Sequence, residues 1–367
     1  MPTSRRSLLI AAGATAPLLL AKPAPARAQP DLSTPEGWLN WVSAHRDAIG
    51  LAIDDGRGHR LAHAADTPRP LASAVKVLHL AAYAEAVIAR RIDPDERVRV
   101  GDWERYYVPT DGHAHANALS QLGIPADSSE LYAADPEQRV ALRDMVSMML
   151  LFSDSAVPDF LRDRLGAHAV VTAGRTRGWW RADVRSLCAE YLFLALPETA
   201  PPPRLPVAAR RAWGFALERR YRDEPALRQR VRDWRLHQPM PPLPEQVAWA
   251  SSTAAGSPRE LDAVHRALAS ESDPASTLAR EHLEAPAAGG ALPPGVDGIG
   301  FKGGSLPGVV TAGASVRRSD GTIGTGGLVA HDPAARGELV TSNPAALLLP
   351  AIRDARWRDR LGAALGR

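Results

Sequence analysis

Apolar residues fall at helical spacing over several stretches of this chain, and each stretch predicts an amphipathic helix. The clearest runs from about Ser73 to Arg91, where one face is apolar throughout. The same spacing predicts helices at residues 140–151, 157–165, 181–196, 208–237 and 344–361. Two Ser-x-x-Glu capping patterns, at residues 33–36 and 257–260, predict further helix starts.

Short apolar runs near the two ends of the chain predict strands instead. Residues 49–53 and 60–64 flank a turn, and residues 300–304, 309–316 and 322–330 follow one another late in the sequence. Asp320-Gly321 between the last two runs is typical of a hairpin. Residues 101–135 show no regular pattern, and the five prolines of residues 197–206 predict a loop.

This order of elements predicts an α+β fold. Residues 29–72 and 296–367 would together form an antiparallel sheet flanked by helices, and residues 73–295 would form an inserted helical lobe. Within that lobe, residues 197–247 have the character of an insertion. The arginines of residues 208–237 are most simply a solvated helix face.

The N-terminus carries the pattern of an export signal. Arg5-Arg6 precedes a short apolar run, and Ala26-Arg27-Ala28 ends it. We therefore expect residues 1–28 to be a twin-arginine signal peptide and the product to be periplasmic or secreted. An uncleaved anchor or a buried helix is the alternative. The run is too short for a membrane span, and no later stretch is long and apolar enough to be one.

Charge and cysteine content limit the classes of protein to which this chain can belong. The full chain has a formal charge of +3, but removal of the four basic residues of the signal leaves 40 basic and 41 acidic residues. The basic excess therefore gives no support to nucleic-acid binding. The single cysteine, Cys188, excludes an intrachain disulfide and disfavours a cysteine-based metal site. We expect no cofactor and no metal, and a monomer.

Lysine is nearly absent from this arginine-rich chain. The three lysines are Lys22, in the predicted signal, Lys76 and Lys302. Arginine makes salt bridges as well as lysine does, but it cannot act as a titratable amine. A codon bias would explain the avoidance equally well, although it would not explain where the two remaining lysines lie.

Three short motifs carry candidate chemistry. Ser73-x-x-Lys76 places a hydroxyl and an amine one helical turn apart, and an amine of lowered pKa can activate a serine. Ser153-Asp154-Ser155 follows an apolar helix, where it could equally cap the next one. Lys302-Gly303-Gly304 lies in a predicted strand, and its glycines would admit a close approach or mark a bulge.

In this order and on these elements, the motifs resemble the S-x-x-K, S-D-N and K-T-G signature of serine β-lactamases and penicillin-binding proteins. The flanking residues 71–76, 142–145 and 257–261 resemble the class A β-lactamases most. The resemblance implies that Ser73 is the nucleophile, Lys76 its base and Ser153 a proton relay. It also implies that Lys302, Gly304, Ser305 and Ser155 bind substrate, with the backbone N–H groups of Ser73 and Ser305 as the oxyanion hole.

The chain departs from the family pattern at three places. Ser155 replaces the usual Asn, Gly303 replaces Thr or Ser, and no Glu-x-x-x-Asn string supplies a water-activating glutamate. Glu190 lies at nearly the expected distance after Ser153 and is the candidate catalytic glutamate, but a helix-surface or salt-bridged glutamate is the favoured interpretation. His113 and His115, together with Asp111 in the same irregular loop, are a weak metal signal, since surface histidines are more common.

The resemblance implies a small-molecule partner, either a β-lactam or an acyl-D-Ala-D-Ala compound. The first hypothesis is an exported serine hydrolase that opens β-lactams. The second is a D-alanyl-D-alanine carboxypeptidase, or another amidase or esterase, on the same fold. The third is a binding homologue without turnover, which an intact base beside the serine disfavours.

Overall fold

The computed structural model describes residues 30–202, 204–270 and 273–367. The predicted twin-arginine signal, with Lys22, lies outside the described residues. Within them, no helix has the length and apolar character needed to cross a bilayer.

The two ends of the chain build one five-stranded antiparallel sheet of order β2-β1-β9-β8-β7. Short two-stranded pairs join β3 to β6 and β4 to β5. The strands are β1 (Ile49–Asp54), β2 (Arg60–His63), β3 (Arg69–Pro70), β4 (Arg97–Arg99), β5 (Arg139–Ala141), β6 (Ala255–Gly256), β7 (Val296–Leu306), β8 (Val309–Arg318) and β9 (Ile323–His331).

Helices cover both faces of the sheet and fill the segment between its two halves. They are α1 (Pro35–Ala44), α2 (Lys76–Ile88), α3 (Val100–Glu104), α4 (Ala114–Gln121), α5 (Leu142–Leu151), α6 (Ala156–Leu165), α7 (Ala167–Arg175), α8 (Leu187–Ala195), α9 (Val207–Asp223), α10 (Pro225–His237), α11 (Leu243–Ala250), α12 (Pro258–Ala269), α13 (Pro274–Ala288), α14 (Arg336–Val340), α15 (Ala345–Arg353) and α16 (Ala355–Ala364). The predicted α+β class, with a sheet formed from both ends and an inserted helical segment, is confirmed.

Small residues in the sheet let the helices approach it closely. Gly313 of β8 pairs with Gly327 of β9, and both face α12. A Cβ at Gly313 would lie 2.2 Å from Nε2 of His265, and one at Gly327 would lie 2.1 Å from the Pro258 carbonyl oxygen. Because α12 can therefore pack against the backbone, it holds the helical segment against the sheet.

Strand periodicity places Lys302 and Gly304 of the third motif on the sheet face against which α12 packs. Side chains alternate along a strand, so residues 302 and 304 of β7 share a face with their register partners Gly313 and Thr311. Lys302 and Gly304 therefore face the helical segment rather than α1, α15 and α16, which cover the opposite side. On that opposite side, Gly326 of β9 approaches Leu348 of α15.

Helix α2 lies at the centre of the helical segment. Residues 76–84 are buried on every side of this helix, which is typical of a core helix rather than of a surface helix. The predicted helix start at Ser73 is wrong by one turn, since residues 72–75 form a 3₁₀ turn and the α-helix begins at Lys76.

Several predicted helices differ from those observed. Residues 101–135 contain α3 and α4 and are not wholly irregular, and α7, α11 and α13 were not predicted. The predicted helix 181–196 begins only at Leu187, after the cap Ser186. The predicted helices 208–237 and 344–361 are each divided in two, and Thr34 rather than Ser33 caps α1. Glu224-Pro225 explains the first division, because proline cannot donate the hydrogen bond that a continuous helix needs.

The arginine-rich segment is a helical hairpin, α9 and α10, that packs on α8. A small apolar core joins them, with Phe193 and Leu196 on one side and Leu217, Tyr221 and Val231 on the other. The prediction of a solvated face holds for only part of the segment. Arg210, Arg222, Arg232 and Arg235 instead bond to groups on other elements, because a guanidinium can satisfy several acceptors at once.

Candidate active site

Ser73 lies in the 3₁₀ turn that leads into α2, and three features position this turn. Leu71 N donates to the Ala254 carbonyl at 2.9 Å, and Oγ1 of Thr311 donates to the Leu71 carbonyl at 2.8 Å. Ala72 adopts a left-handed backbone, with φ of +46°. This conformation is rare outside glycine and marks a turn that its surroundings must hold in place.

The amine of Lys76 lies against the Ser73 hydroxyl. Nζ of Lys76 is 3.0 Å from Oγ of Ser73, and the side chain is completely buried. Burial lowers the pKa of Lys76 to about 8, although Asp154, Asp111 and Asp159 oppose the shift. An amine with this pKa is partly neutral near pH 7, and a neutral amine can accept the serine proton.

Ser153 connects the two lysines. Its Oγ lies 3.1 Å from Nζ of Lys76 and 3.0 Å from Nζ of Lys302, and its carbonyl accepts a third hydrogen bond from Lys76. The backbone of Ser153 is left-handed, with φ of +66°. A non-glycine residue in this region is uncommon, and here its carbonyl and its hydroxyl both contact the Lys76 amine.

Lys302 reaches the site from β7 and is also buried. Its Nζ bonds to Oγ of Ser153 and to the Gly303 carbonyl, the latter at 2.8 Å. Burial, reinforced by the nearby amine of Lys76, holds the pKa of Lys302 well below its ordinary value. The two amines therefore disfavour each other's protonation, and a bound anion would favour it again.

Gly304 brings β7 against the turn that carries the serine. A Cβ at this position would lie 2.3 Å from Ser73 N and 2.8 Å from Ala74 N. No real Cβ approaches backbone atoms so closely, so a side chain here would force β7 away from Ser73. Ser305, the next residue, lines the open cleft beside Ser73.

We expect Gly304→Ala to lower the acylation rate of Ser73 about 100-fold, because a displacement of about 1 Å in the reacting groups costs that much. Overpacking should also reduce the stability of the fold by about 1–3 kcal/mol. Labelling with a fluorescent penicillin and a thermal melt measure the two effects. Gly289→Ala is the matched control, since open space surrounds Gly289 and its φ is −74°. An unimpaired Gly304→Ala protein would contradict this account of β7.

Asp154, the middle residue of the second motif, does not face the cleft. Its carboxylate accepts from the N–H groups of Ala156 and Val157, both at 2.9 Å, and so caps α6. It also binds Nδ1 of His115 at 2.7 Å and accepts from the Trp103 indole at 3.1 Å. This buried network holds the loop that presents Ser153.

His115 is a structural cation in this network, and the expectation of a surface histidine is wrong for it. The ring is completely buried, and Nε2 lies 3.3 Å from Oε1 of Glu104. Burial opposes a charge here, but the Asp154 and Glu104 carboxylates outweigh it and raise the pKa of His115 to about 10. His113 is exposed, and among the described residues no group of three or more His, Cys, Asp or Glu side chains could hold a metal.

Ser155 lies beside the Lys76 amine, whereas Glu190 lies in a separate small pocket next to Ser73. Oγ of Ser155 is 3.4 Å from Nζ of Lys76 and also interacts with the Tyr191 hydroxyl. Glu190, on α8, lines a narrow pocket of about 30 Å³ together with Ser73. Its carboxylate is bound by two guanidiniums, Arg185 at 3.2 Å and Arg210 at 3.2 and 2.6 Å.

The structure thus brings Ser73, Lys76, Ser153, Ser155 and Lys302 into direct contact, with Gly304 and Ser305 beside them. The serines and Gly304 line a cleft of about 590 Å³ between the helical segment and β7, whereas the buried Lys76 and Lys302 do not line it. Sequence reasoning missed three residues that line this cleft: Asp111, Tyr191 and Trp249. They lie in the loop before α4, on α8 and on α11, which no catalytic motif marks.

Comparison with known proteins shows a family match and a similar fold. Residues 39–211 match the model of a family described as the β-lactamase enzyme family. Among solved structures, the chain is similar to the β-lactamase from Sphaerobacter thermophilus DSM 20745, with 18% identity, coverage of 86% of this chain and 96% of that chain, and a TM-score of 0.50. No curated protein matches the chain.

Two other solved structures are similar at lower TM-scores. The chromosome-encoded β-lactamase of Vibrio parahaemolyticus shares 14% identity over 86% of this chain and 98% of that chain, with a TM-score of 0.49. A mutant of PBP-A, in an acyl-enzyme complex with penicillin G, shares 16% identity over 86% of this chain and 95% of that chain, with a TM-score of 0.45. The resemblance expected from the motifs is confirmed: residues 39–211 match the β-lactamase enzyme family, and the chain has the fold of the serine β-lactamase and penicillin-binding protein superfamily.

Proposed function

We propose that this protein is an exported serine hydrolase that forms an acyl-enzyme on Ser73 and opens β-lactam rings. The observation that carries the proposal is the convergence of two buried amines, Lys76 and Lys302, on the hydroxyls of Ser73 and Ser153. A purely binding protein has no need of a base beside its serine. Export rests on the pattern of residues 1–28.

Acylation would begin with proton transfer from the Ser73 hydroxyl to the neutral amine of Lys76, across 3.0 Å. Oγ of Ser73 then bonds to the lactam carbonyl carbon. The N–H groups of Ser73 and Ser305 would stabilise the negative carbonyl oxygen, and each such donor typically contributes about 3 kcal/mol. As the C–N bond breaks, Ser153 donates its proton to the leaving nitrogen and regains one from the protonated Lys76.

Lys302 would bind the carboxylate that β-lactams and D-alanyl peptides share. In the free protein, burial and the neighbouring Lys76 disfavour its charge. An arriving carboxylate supplies the missing negative charge and favours the protonated form. The positive charge at Lys302 would in turn keep Lys76 neutral, which is the form that a base requires.

Deacylation needs a water near Ser73 and a group to activate it. The pocket that Ser73 shares with Glu190 has about 30 Å³, which is enough for a water molecule. Oε1 of Glu190 already accepts from both arginines, whereas Oε2 accepts only from Arg210, which leaves one lone pair for a water. Glu190 is therefore the candidate group to activate the water, although Arg185 and Arg210 restrain its carboxylate.

We expect Glu190→Gln to slow release of a penicilloyl group from Ser73 by at least about 100-fold, in line with the loss of a general base. Acylation itself should change much less. Intact-mass spectra recorded after removal of free benzylpenicillin follow the release. Glu198→Gln is the control, since Glu198 pairs with Arg230 on the surface, away from the cleft. Release at the wild-type rate would remove Glu190 from the mechanism.

The restraint on Glu190 also favours a second candidate function. If Arg185 and Arg210 hold the carboxylate too firmly to activate water, the penicilloyl group would persist on Ser73. The protein would then act on acyl-D-Ala-D-Ala compounds, as a carboxypeptidase or a related amidase, and bind penicillins as inhibitors.

One assay separates the candidates. A chromogenic cephalosporin reports turnover, and a fluorescent penicillin reports a persistent label. Rapid turnover supports β-lactam hydrolysis. A stable label with little turnover supports the peptidase. A folded protein that gives neither signal would show that the proposed acyl-enzyme chemistry is wrong.

A further inference from the structure

The cleft beside Ser73 carries very little charge. Among the described residues that line it, Asp111 is the single charged side chain, and most of the others are apolar or neutral polar. Aromatic rings contribute much of the wall, namely Phe152, Tyr191, Trp249 and Phe301. A lone carboxylate among aromatic rings in a cleft is an arrangement that suits a small organic cation.

Asp111 is also unusual because no cationic side chain of the described residues forms a salt bridge with it. Its Oδ2 accepts from His115 N at 3.2 Å, and Oδ1 lies 3.5 Å from the Tyr107 hydroxyl. Within the described part of the chain it forms no salt bridge, whereas the neighbouring Asp154 and Glu104 both pair with His115. A half-buried carboxylate normally has such a partner. Asp111 lines the cleft that a substrate would occupy.

The charges around Asp111 do not supply that partner. The His115 cation is bound between Asp154 and Glu104, so its charge is already compensated. The Lys76 amine bonds to serine oxygens and interacts with Asp111 only at longer range. Burial and repulsion from Asp154 raise the pKa of Asp111 to about 6, so the carboxylate is largely ionised at neutral pH and would gain from a bound cation.

We propose that the cleft selects acyl donors whose acyl side chain carries an ammonium group, and that Asp111 binds this group. The inference rests on the proposed acyl-enzyme function of Ser73. A substrate carboxylate is drawn towards Lys302 of β7, and Ser153 donates a proton to the leaving nitrogen. The acyl side chain is left to extend along the opposite wall, where Asp111, Ser155 and Tyr191 lie.

Ampicillin and benzylpenicillin test this, because they differ only by one amino group on the acyl side chain. The measured quantity is the ratio of the two acylation rate constants at pH 7, from time-resolved intact-mass spectra. We expect ampicillin to be preferred by the wild-type protein, and the ratio to fall about tenfold in Asp111→Asn, as for loss of a charged hydrogen bond. The ratio cancels any change in Lys76 basicity that loss of the Asp111 charge causes.

Asp102→Asn is the matched control, since Asp102 lies on α3 outside the cleft and is 3.6 Å from Arg105. Its ratio should equal that of the wild type. If both penicillins acylate Ser73 and Asp111→Asn leaves the ratio unchanged, the ammonium site is refuted and the proposed function stands. The ammonium site is likewise refuted if Asp111→Asn slows both penicillins equally, because that result indicates a general catalytic role.

If neither penicillin is hydrolysed and neither leaves an adduct on Ser73, the proposed function fails first. The cation site is then tested without acylation, by calorimetry with 2-phenylethylammonium and 2-phenylethanol. Selective binding of the ammonium compound that disappears in Asp111→Asn would support the site. Equal binding of both compounds would overturn it.

Discussion

Ser73→Ala is expected to eliminate both hydrolysis of a chromogenic cephalosporin and labelling by a fluorescent penicillin. Without the hydroxyl, Lys76 has no proton to accept and the acyl group has no atom to bind. Loss of the nucleophile of a serine hydrolase typically lowers kcat by about 10⁴-fold or more. The fold should survive, because among the described residues the Lys76 amine is the only hydrogen-bond partner of Oγ of Ser73, and α2 keeps its apolar packing without it.

The matched control for this experiment is Ser120→Ala. Ser120 lies exposed on α4 and does not line the cleft. That protein should retain full activity, and a thermal melt should show both variants folded. Activity that persists in Ser73→Ala would mean that another group is the nucleophile. The proposed roles of Lys76, Ser153 and Lys302 would then also be wrong.

Lys76→Arg is expected to have the second largest effect, a loss of about 10²–10⁴-fold in the acylation rate, which is the usual contribution of a general base. Arginine keeps the positive charge but cannot become a neutral base. Lys302→Arg should cost far less, about tenfold, if the role of Lys302 is to supply positive charge to a carboxylate. The comparison of the two variants therefore separates a base from an anion-binding group.

The pH dependence of the acylation rate of the wild-type protein also tests whether Lys76 is the base. Lys76 must be neutral to act, and its pKa is lowered to about 8. The acylation rate should therefore rise with pH, about tenfold per unit below pH 8, and level off above it. The rise should be absent in Lys76→Arg. A rate that falls between pH 6 and pH 8, or equal losses in the two arginine variants, would exclude Lys76 as the base.

The sequence predicted the elements whose pattern is strong and local. The apolar spacing of α2 and the hairpin signal at Asp320-Gly321 correspond to observed elements. Helix α13 was missed although its alanines favour a helix and Asp273-Pro274 is a recognised helix start; Pro286, near its C-terminal end, is the one residue that argues against it. The division of the segment after residue 208 by Pro225 could have been predicted, since proline at a helix start is a recognised signal.

The site was predictable only as far as its motifs extend. Ser73, Lys76, Ser153 and Lys302 were found because each lies in a short pattern, and the structure places them within hydrogen-bond distance of one another. Asp111 lies in an irregular loop, beside two histidines that give only a weak metal signal. Its position in the cleft depends on how the loop packs, which no local pattern encodes.

The role of the arginine-rich hairpin could not be read from its sequence either. Arg210 binds Glu190, the Tyr221 hydroxyl donates to the Tyr107 carbonyl at 2.6 Å, and Arg235 donates to the Pro109 carbonyl at 2.9 Å. The hairpin therefore restrains both α8 and the loop that leads to Asp111, two parts of the cleft wall. These partners lie 20 to 126 residues away along the chain.

The most direct test of the account is to locate the acyl group after reaction with benzylpenicillin. The mature protein is incubated with the drug, quenched in acid and analysed by intact mass and peptide mapping. We expect a single penicilloyl adduct on the peptide that contains Ser73, and none in Ser73→Ala. An adduct on a different residue, or a folded protein that neither carries an adduct nor hydrolyses the drug, would contradict the claim that the buried amine of Lys76 activates this hydroxyl.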